Sequence, residues 1–348
     1  MKGPYDIEFA ALPSSERREF CLQAAARGRL SLPAAAIEKD YWICWILKQI
    51  AEIPELRGEI TFKGGTSLSK GWGLLDRFSE DLDLAVNRRV LGTHFTSSFE
   101  EPLTTSQRKK RLSELQKASL FYVTNEFISL LQSKIETLLS STEFKLTPLQ
   151  LGNEVQVEFE YPGTLIEQLG SILPVVRIEL IPRAAHLPKE PRRIESFLGG
   201  VFPQFLRDES FQIDCLLPEK TFLEKILLIH ETLLGRNAGS HRRSRHYYDV
   251  YKLYNAGIFE RIRTRPHLVK EAINHRSTFY RYTSLDYAQI LTSGVRFAPP
   301  PDQLISWKSD YQKSKILIFK DLPTFESLMA FSKQFEREFN AWAAHLSG

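Results

Sequence analysis

From Asp81 to Leu84 the chain alternates acid and apolar residue, and the run on to Val86 reads as a β-strand by this period of two. Residues two apart on a strand leave the same face, about 6–7 Å apart along the chain. Asp81 and Asp83 therefore share one face, while Leu82 and Leu84 anchor the other in a core. Two carboxylates this close repel each other unless a cation sits between them. The result is a rigid shelf with two hard oxygen ligands, which suits Mg²⁺ or Mn²⁺. An isolated Asp-x-Asp would serve equally well as a solvated strand edge, so its surroundings decide.

Upstream stands Lys63-Gly64-Gly65-Thr66-Ser67-Leu68-Ser69-Lys70. Glu59 to Lys63 reads as a short strand that ends at the glycine pair. A double glycine lets the backbone turn sharply and approach a ligand closely. The N–H groups that follow, opening a short helix, can receive phosphate oxygens. Thr66 and Ser67 add hydroxyl donors. The spacing is not that of a Walker A loop.

Strand, double glycine, helix, strand and Asp-x-Asp in this order resemble the catalytic core of the DNA polymerase β-like nucleotidyltransferase superfamily. The resemblance implies that Lys63, Gly64, Gly65, Thr66 and Ser67 bind the triphosphate of an NTP substrate. It implies that the acidic strand holds two metal ions, with a third carboxylate from a neighbouring strand. Glu179 is the candidate, an acid that packing alone does not explain in the apolar run Ile178-Glu179-Leu180. Glu158, in Val157-Glu158-Phe159, is the rival.

A narrower resemblance rests on Phe62-Lys63-Gly64-Gly65-Thr66-Ser67-Leu68 followed by Arg77-Phe78-Ser79-Glu80-Asp81-Leu82-Asp83-Leu84. These stretches closely resemble the AbiEii/AbiGii toxin family, the nucleotidyltransferase toxins of bacterial abortive-infection and toxin–antitoxin systems, which include mycobacterial transferases that modify tRNA. Ile37-Glu38-Lys39-Asp40-Tyr41-Trp42, Phe222-Leu223-Glu224-Lys225-Ile226, Arg245-His246-Tyr247-Tyr248-Asp249-Val250-Tyr251 and the tail Trp307-Lys308-Ser309-Asp310-Tyr311 with Pro323-Thr324-Phe325 extend the likeness over nearly the whole chain. Carried over by position, Lys225 is the helical lysine that contacts nucleotide phosphates, and Asp249 is the second-lobe acid. Asp81, Asp83, Lys225 and Asp249 then form the catalytic set. Where the family usually has Arg-Asp-x-x-Asp, this chain has one acid, Asp249. Glu38-Lys39-Asp40 yields no chemistry by itself; an internal ion pair bracing two lobes is the expectation.

The length, 348 residues, allows two lobes. Helices are expected from Ser14 to about Arg27, behind Pro33, over 105–140, and over about 218–235, 244–256, 266–276 and 324–344. Further strands are expected at Glu154–Glu160, Pro174–Ile181 and Phe211–Cys215. Strands between 59 and 216 with helices on both sides make an α+β plan. The boundaries read as 1–217 for N-terminal helices plus a polymerase β-like catalytic lobe with a small mixed sheet, and 218–348 for a helical C-terminal lobe.

No apolar stretch approaches the roughly 20 residues of a bilayer span; the longest, Tyr41 to Ile50, is shorter and contains Lys48. The N-terminus shows no signal-peptide apolar region. Cys21, Cys44 and Cys215 are odd in number and widely spaced, which argues for reduced, buried thiols in the cytoplasm.

Net charge is +4, but Arg236 to Arg281 contains eleven Lys/Arg against three Asp/Glu, a local +8. Such a block on a mildly acidic body suits an acidic polymer. Arg236, Arg242, Arg243 and Arg245 are the candidate RNA contacts, with Tyr247, Tyr248, Tyr251 and Tyr254 interleaved for stacking or packed as core. The expected activity is transfer from an NTP to an RNA 3′ end, foremost the tRNA acceptor stem. Translation would be blocked in phage defence, under restraint by a cognate antitoxin and with no membrane role. The rivals are a protein or small-molecule acceptor and, without catalysis, a degenerate nucleotidyltransferase-fold scaffold.

Overall fold

The expected acidic strand forms at Asp81–Val86 and is the central strand of a seven-stranded mixed sheet. A computed structural model of the chain describes residues 8–27, 32–99, 103–151, 154–165, 167, 174–203, 210–235, 244–280, 285–314 and 318–346. Two compact units emerge: one takes residues 1–73 and 78–216, the other 74–77 and 217–348.

In the first unit the strands are β1 (Ile60–Lys63), β2 (Asp81–Val86), β3 (Lys145–Leu151), β4 (Glu154–Glu160), β5 (Val175–Ile181), β6 (Lys189–Ile194) and β7 (Phe211–Leu216). They are ordered β3-β4-β5-β2-β1-β7-β6. β2 runs antiparallel to β1 and parallel to β5. Its inward residues Leu82 and Leu84 are fully buried, and β5 alternates likewise with Val176, Ile178 and Leu180 inside. Around the sheet lie α1 (Ser14–Ala26), α2 (Ala34–Ala51), α3 (Gly64–Lys70), α4 (Thr105–Tyr122), α5 (Ile128–Ile135) and α6 (Phe197–Val201). α4 and α5 are joined through a π-helical turn at Val123–Phe127, so the single expected helix is distorted midway.

α2 is buried on every side from Ala34 to Leu47, as its nearly continuous apolar sequence demands. Trp42 and Trp45 pack on Phe159 of β4, with ring centroids 6.2 and 6.0 Å away. The helix therefore covers the apolar face of the sheet and leaves the Asp81–Asp83 face to other uses.

The second unit is helical: α7 (Pro218–Leu234), α8 (Arg245–Asn255), α9 (Ile258–Arg263), α10 (His267–Phe279), α11 (Ile290–Ser293), α12 (Leu304–Ser314) and α13 (Phe325–Ala344). Its core is aromatic, with Phe335 in ring contact with Phe222, Phe259, Phe297 and Phe339. The segment Leu74–Arg77 belongs here, tied by a bridge between Arg77 and Ile318 and by the Phe319 N–H donating to the Asp76 carbonyl at 3.1 Å. Among the described residues no helix is long and apolar enough to cross a membrane.

Candidate active site

Register decides which residues share the acidic face. Asp83 stands opposite Lys63 on β1 and opposite Glu179 on β5, and Asp81 stands opposite Arg177. Cross-strand partners sit on one side of the sheet about 5 Å apart. Asp81, Asp83, Glu179, Arg177 and Lys63 therefore line one surface. Glu158 lies one strand further out, opposite Arg177, and forms an ion pair with it at 3.2 Å. Glu179, not Glu158, is thus the neighbour of Asp83, and Gln156 donates to Glu179 at 3.3 Å. Among the described residues no three His, Cys, Asp or Glu side chains gather as a metal-holding group, so the carboxylates share a face without converging.

The glycine turn packs against this shelf. Gly64 has φ +74°, a backbone region that favours glycine, and a Cβ placed there would lie 1.8 Å from Asp83 Oδ2. Both its conformation and its lack of a side chain are required by the fold at this point. Lys63, largely buried at the end of β1, precedes α3, and no side chain caps the helix start. The backbone N–H groups of Gly64, Gly65 and Thr66 open that helix and lack the intrahelical partners that later residues have.

The hydroxyls behave otherwise than expected. Thr66 Oγ1 donates to the Asp81 carbonyl oxygen at 2.6 Å, tying α3 to β2. Ser67 is buried with its hydroxyl beside the Cys215 thiol, which burial pushes up to about 12. Both side chains face inward because α3 must pack its own apolar side on β1 and β2. All three cysteines are buried.

In the helical unit Asp249 on α8 is fully buried and bound by two cations. Arg77 grips both its oxygens, and Lys225 Nζ on α7 lies 2.7 Å from Oδ2. Burial alone would raise the Asp249 carboxyl, but Arg77 and then Lys225 override it and hold the group well below the usual carboxylate range. Burial lowers Lys225, with Asp249 opposing. His246, 3.4 Å from Lys225 Nζ, is pushed well below its ordinary value by burial and then by the charges of Lys225 and Arg245.

Arg245 opens α8, whereas Arg236, Arg242 and Arg243 lie outside the described residues. The stacking role entertained for the tyrosines fails for two of them. Tyr247 and Tyr248 are core residues, Tyr247 packing edge-on against Phe297 and Trp307. Tyr251 and Tyr254 lie in ring contact with Phe331.

The sequence matches the family described as nucleotidyl transferase AbiEii toxin, type IV TA system, over residues 45–340. The chain belongs to that family. An AbiEii toxin is a nucleotidyltransferase of a toxin–antitoxin system, so an antitoxin partner is implied. A comparison with curated proteins gave no match. Read as an AbiEii sheet, the acidic face includes a residue that sequence reasoning passed over, Arg177. Its signal was its spacing, two residues before Glu179 on the same strand face.

Proposed function

We propose that this AbiEii toxin transfers a nucleotidyl group from an NTP to the 3′ end of an RNA, the tRNA acceptor end foremost, and thereby stops translation. The observation that carries the reading is the fit of Gly64 against Asp83, since it sets the turn meant for phosphate beside the carboxylate meant for metal. Asp81 and Asp83, with Glu179 next to Asp83, would hold Mg²⁺ or Mn²⁺. The donor set is anionic and all oxygen, and the three carboxylates share one face of the sheet. When bound, such ions neutralise triphosphate charge and make the attacking hydroxyl more acidic.

The chain's own groups do the rest. N–H groups of Gly64, Gly65 and Thr66 offer donors to phosphate oxygens. Lys225, paired with Asp249 at 2.7 Å, is the cation proposed for the nucleotide phosphates. RNA is favoured as acceptor by the +8 of residues 236–281. Action in the cytoplasm and restraint by the antitoxin follow from the same reading.

The test is incubation with each labelled NTP, Mg²⁺ and total RNA. Label should enter RNA of tRNA length. Asp81→Ala and Asp83→Ala should each lower transfer by about a hundredfold or more while melting close to the wild type, because both side chains are only partly buried and face away from the core. Near wild-type transfer by Asp81→Ala would displace the site, and label in protein would change the acceptor.

A further inference from the structure

Helix α2 carries three consecutive charged residues, Glu38, Lys39 and Asp40, all buried. Successive helical residues point about 100° apart, so these side chains leave in three directions and meet three sets of partners. Glu38 accepts from the N–H groups of Thr164 and Leu165 at 2.8 and 3.0 Å and from the Thr164 hydroxyl at 2.6 Å. Lys39 donates to Glu80 Oε2 at 3.0 Å. Asp40 binds Lys70 Nζ at 2.6 and 2.7 Å through its two oxygens and accepts the Phe197 N–H at 2.7 Å. All of these partners belong to the sheet unit, so the expected brace between two lobes is instead a brace within one.

Two of the partners flank the candidate site. Glu80 immediately precedes Asp81, and its carboxylate accepts from Lys39 on α2. Lys70 ends α3, the helix that begins at Gly64 against Asp83. One turn of α2 thus grips the start of the carboxylate strand and the far end of the glycine-turn helix. Apolar pairs would fill the same volume with less desolvation. What they lack is the direction that a charge-assisted hydrogen bond imposes.

We infer that Lys39 and Asp40 are positioning residues for nucleotidyl transfer, Lys39 aiming the Asp81–Asp83 shelf through Glu80 and Asp40 aiming the glycine turn through Lys70. This rests on the nucleotidyltransferase reading of the shelf.

The experiment uses paired variants that remove both members of each ion pair: Lys39→Met with Glu80→Gln, and Asp40→Asn with Lys70→Met. Three quantities are read on the full chain: the thermal midpoint, amide hydrogen exchange, and the kcat and KM of NTP transfer. Positioning predicts melting near the wild type and amide exchange about tenfold faster over 79–84 in the first pair and over 64–70 in the second. Exchange in β6 and β7 should stay unchanged. It further predicts kcat lower by about tenfold to a hundredfold with KM nearly constant. Wild-type kcat and unchanged local exchange in both pairs would overturn the inference, as would exchange rising equally throughout the sheet unit, which marks a merely structural core. If the wild type transfers no nucleotide from any NTP, the nucleotidyltransferase reading fails, and the exchange data still decide whether α2 fixes these two segments.

Discussion

Arg77 donates two hydrogen bonds to Asp249, Nε to Oδ1 at 2.6 Å and Nη2 to Oδ2 at 2.8 Å, across 172 residues of sequence. Both side chains are buried, and Lys225 joins them at 2.7 Å. The bidentate geometry is the strong form of such a pair. Arg77 opens the run that leads to Asp81, so the acid carried over as a catalytic group is also the anchor of the motif's first residue.

Removing that anchor should be costly. Asp249→Asn leaves two buried cations without their anion and is expected to destabilise by about 3–5 kcal/mol, measured by denaturant unfolding. Lys225→Ala should cost less stability, because Arg77 still holds both Asp249 oxygens. It should instead impair NTP use by about tenfold to a hundredfold, the worth of a charge-assisted phosphate contact of about 1.5–3 kcal/mol. Unchanged kinetics in Lys225→Ala would confine this lysine to a structural role.

Two glycines separate backbone strain from steric conflict. A methyl group added at Gly58 (φ +78°) would meet nothing within 4 Å, whereas one at Gly64 (φ +74°) would meet Asp83. Gly58→Ala and Gly64→Ala should both cost about 1–2 kcal/mol for a left-handed backbone. Only Gly64→Ala should also displace the Asp83 carboxylate and depress transfer, by about tenfold to a hundredfold. Equal activity in the two variants, read against their melting curves, would detach the turn from the site.

His230 sets a pH response in the helical unit. Its Nδ1 accepts the Arg296 N–H at 2.7 Å, and burial pushes it down to about 4. A histidine depressed on folding contributes stability that is full above its unfolded value of about 6.5 and is lost as pH falls toward the folded value. Wild type should therefore lose stability between about pH 6.5 and 4 relative to His230→Gln, which keeps an acceptor but does not titrate. Parallel melting curves for the two proteins over that range would contradict this.

The acceptor can be tested through salt. Each phosphate neutralised contributes a log–log slope of roughly −0.7 to −0.9. Replacing Arg242, Arg243 and Arg245 together should flatten the slope of RNA binding and spare NTP binding. Identical slopes would remove the RNA groove and favour a protein or small-molecule acceptor. Loss of NTP binding would move these arginines into the nucleotide pocket.

The shelf was legible because period two maps directly onto a strand face: Asp81–Val86 forms as read, and Glu179 falls beside Asp83. Side-chain direction within α3 was not legible, since a seven-residue helix gives too little periodicity to tell inward from outward, and Thr66 and Ser67 both turned in. Glu38, Lys39 and Asp40 were visible as a motif but silent as chemistry, because their partners come from residues 70, 80, 164, 165 and 197. The strands β3 and β6 were missed for one shared reason. Each contains a proline, Pro148 and Pro191, which counts against a strand by local rules and is tolerated only where the sheet ends.

Those two prolines have a consequence for whatever meets this protein in solution. β3 and β6 are the outermost strands, and each lacks one main-chain donor that a docking strand would need. Extension of the sheet by a second copy, or by an inhibitor that lends a strand of its own, is disfavoured at either margin. A protein that did dock on this sheet would then meet side chains rather than open backbone, and such a contact could change by substitution without disturbing the sheet.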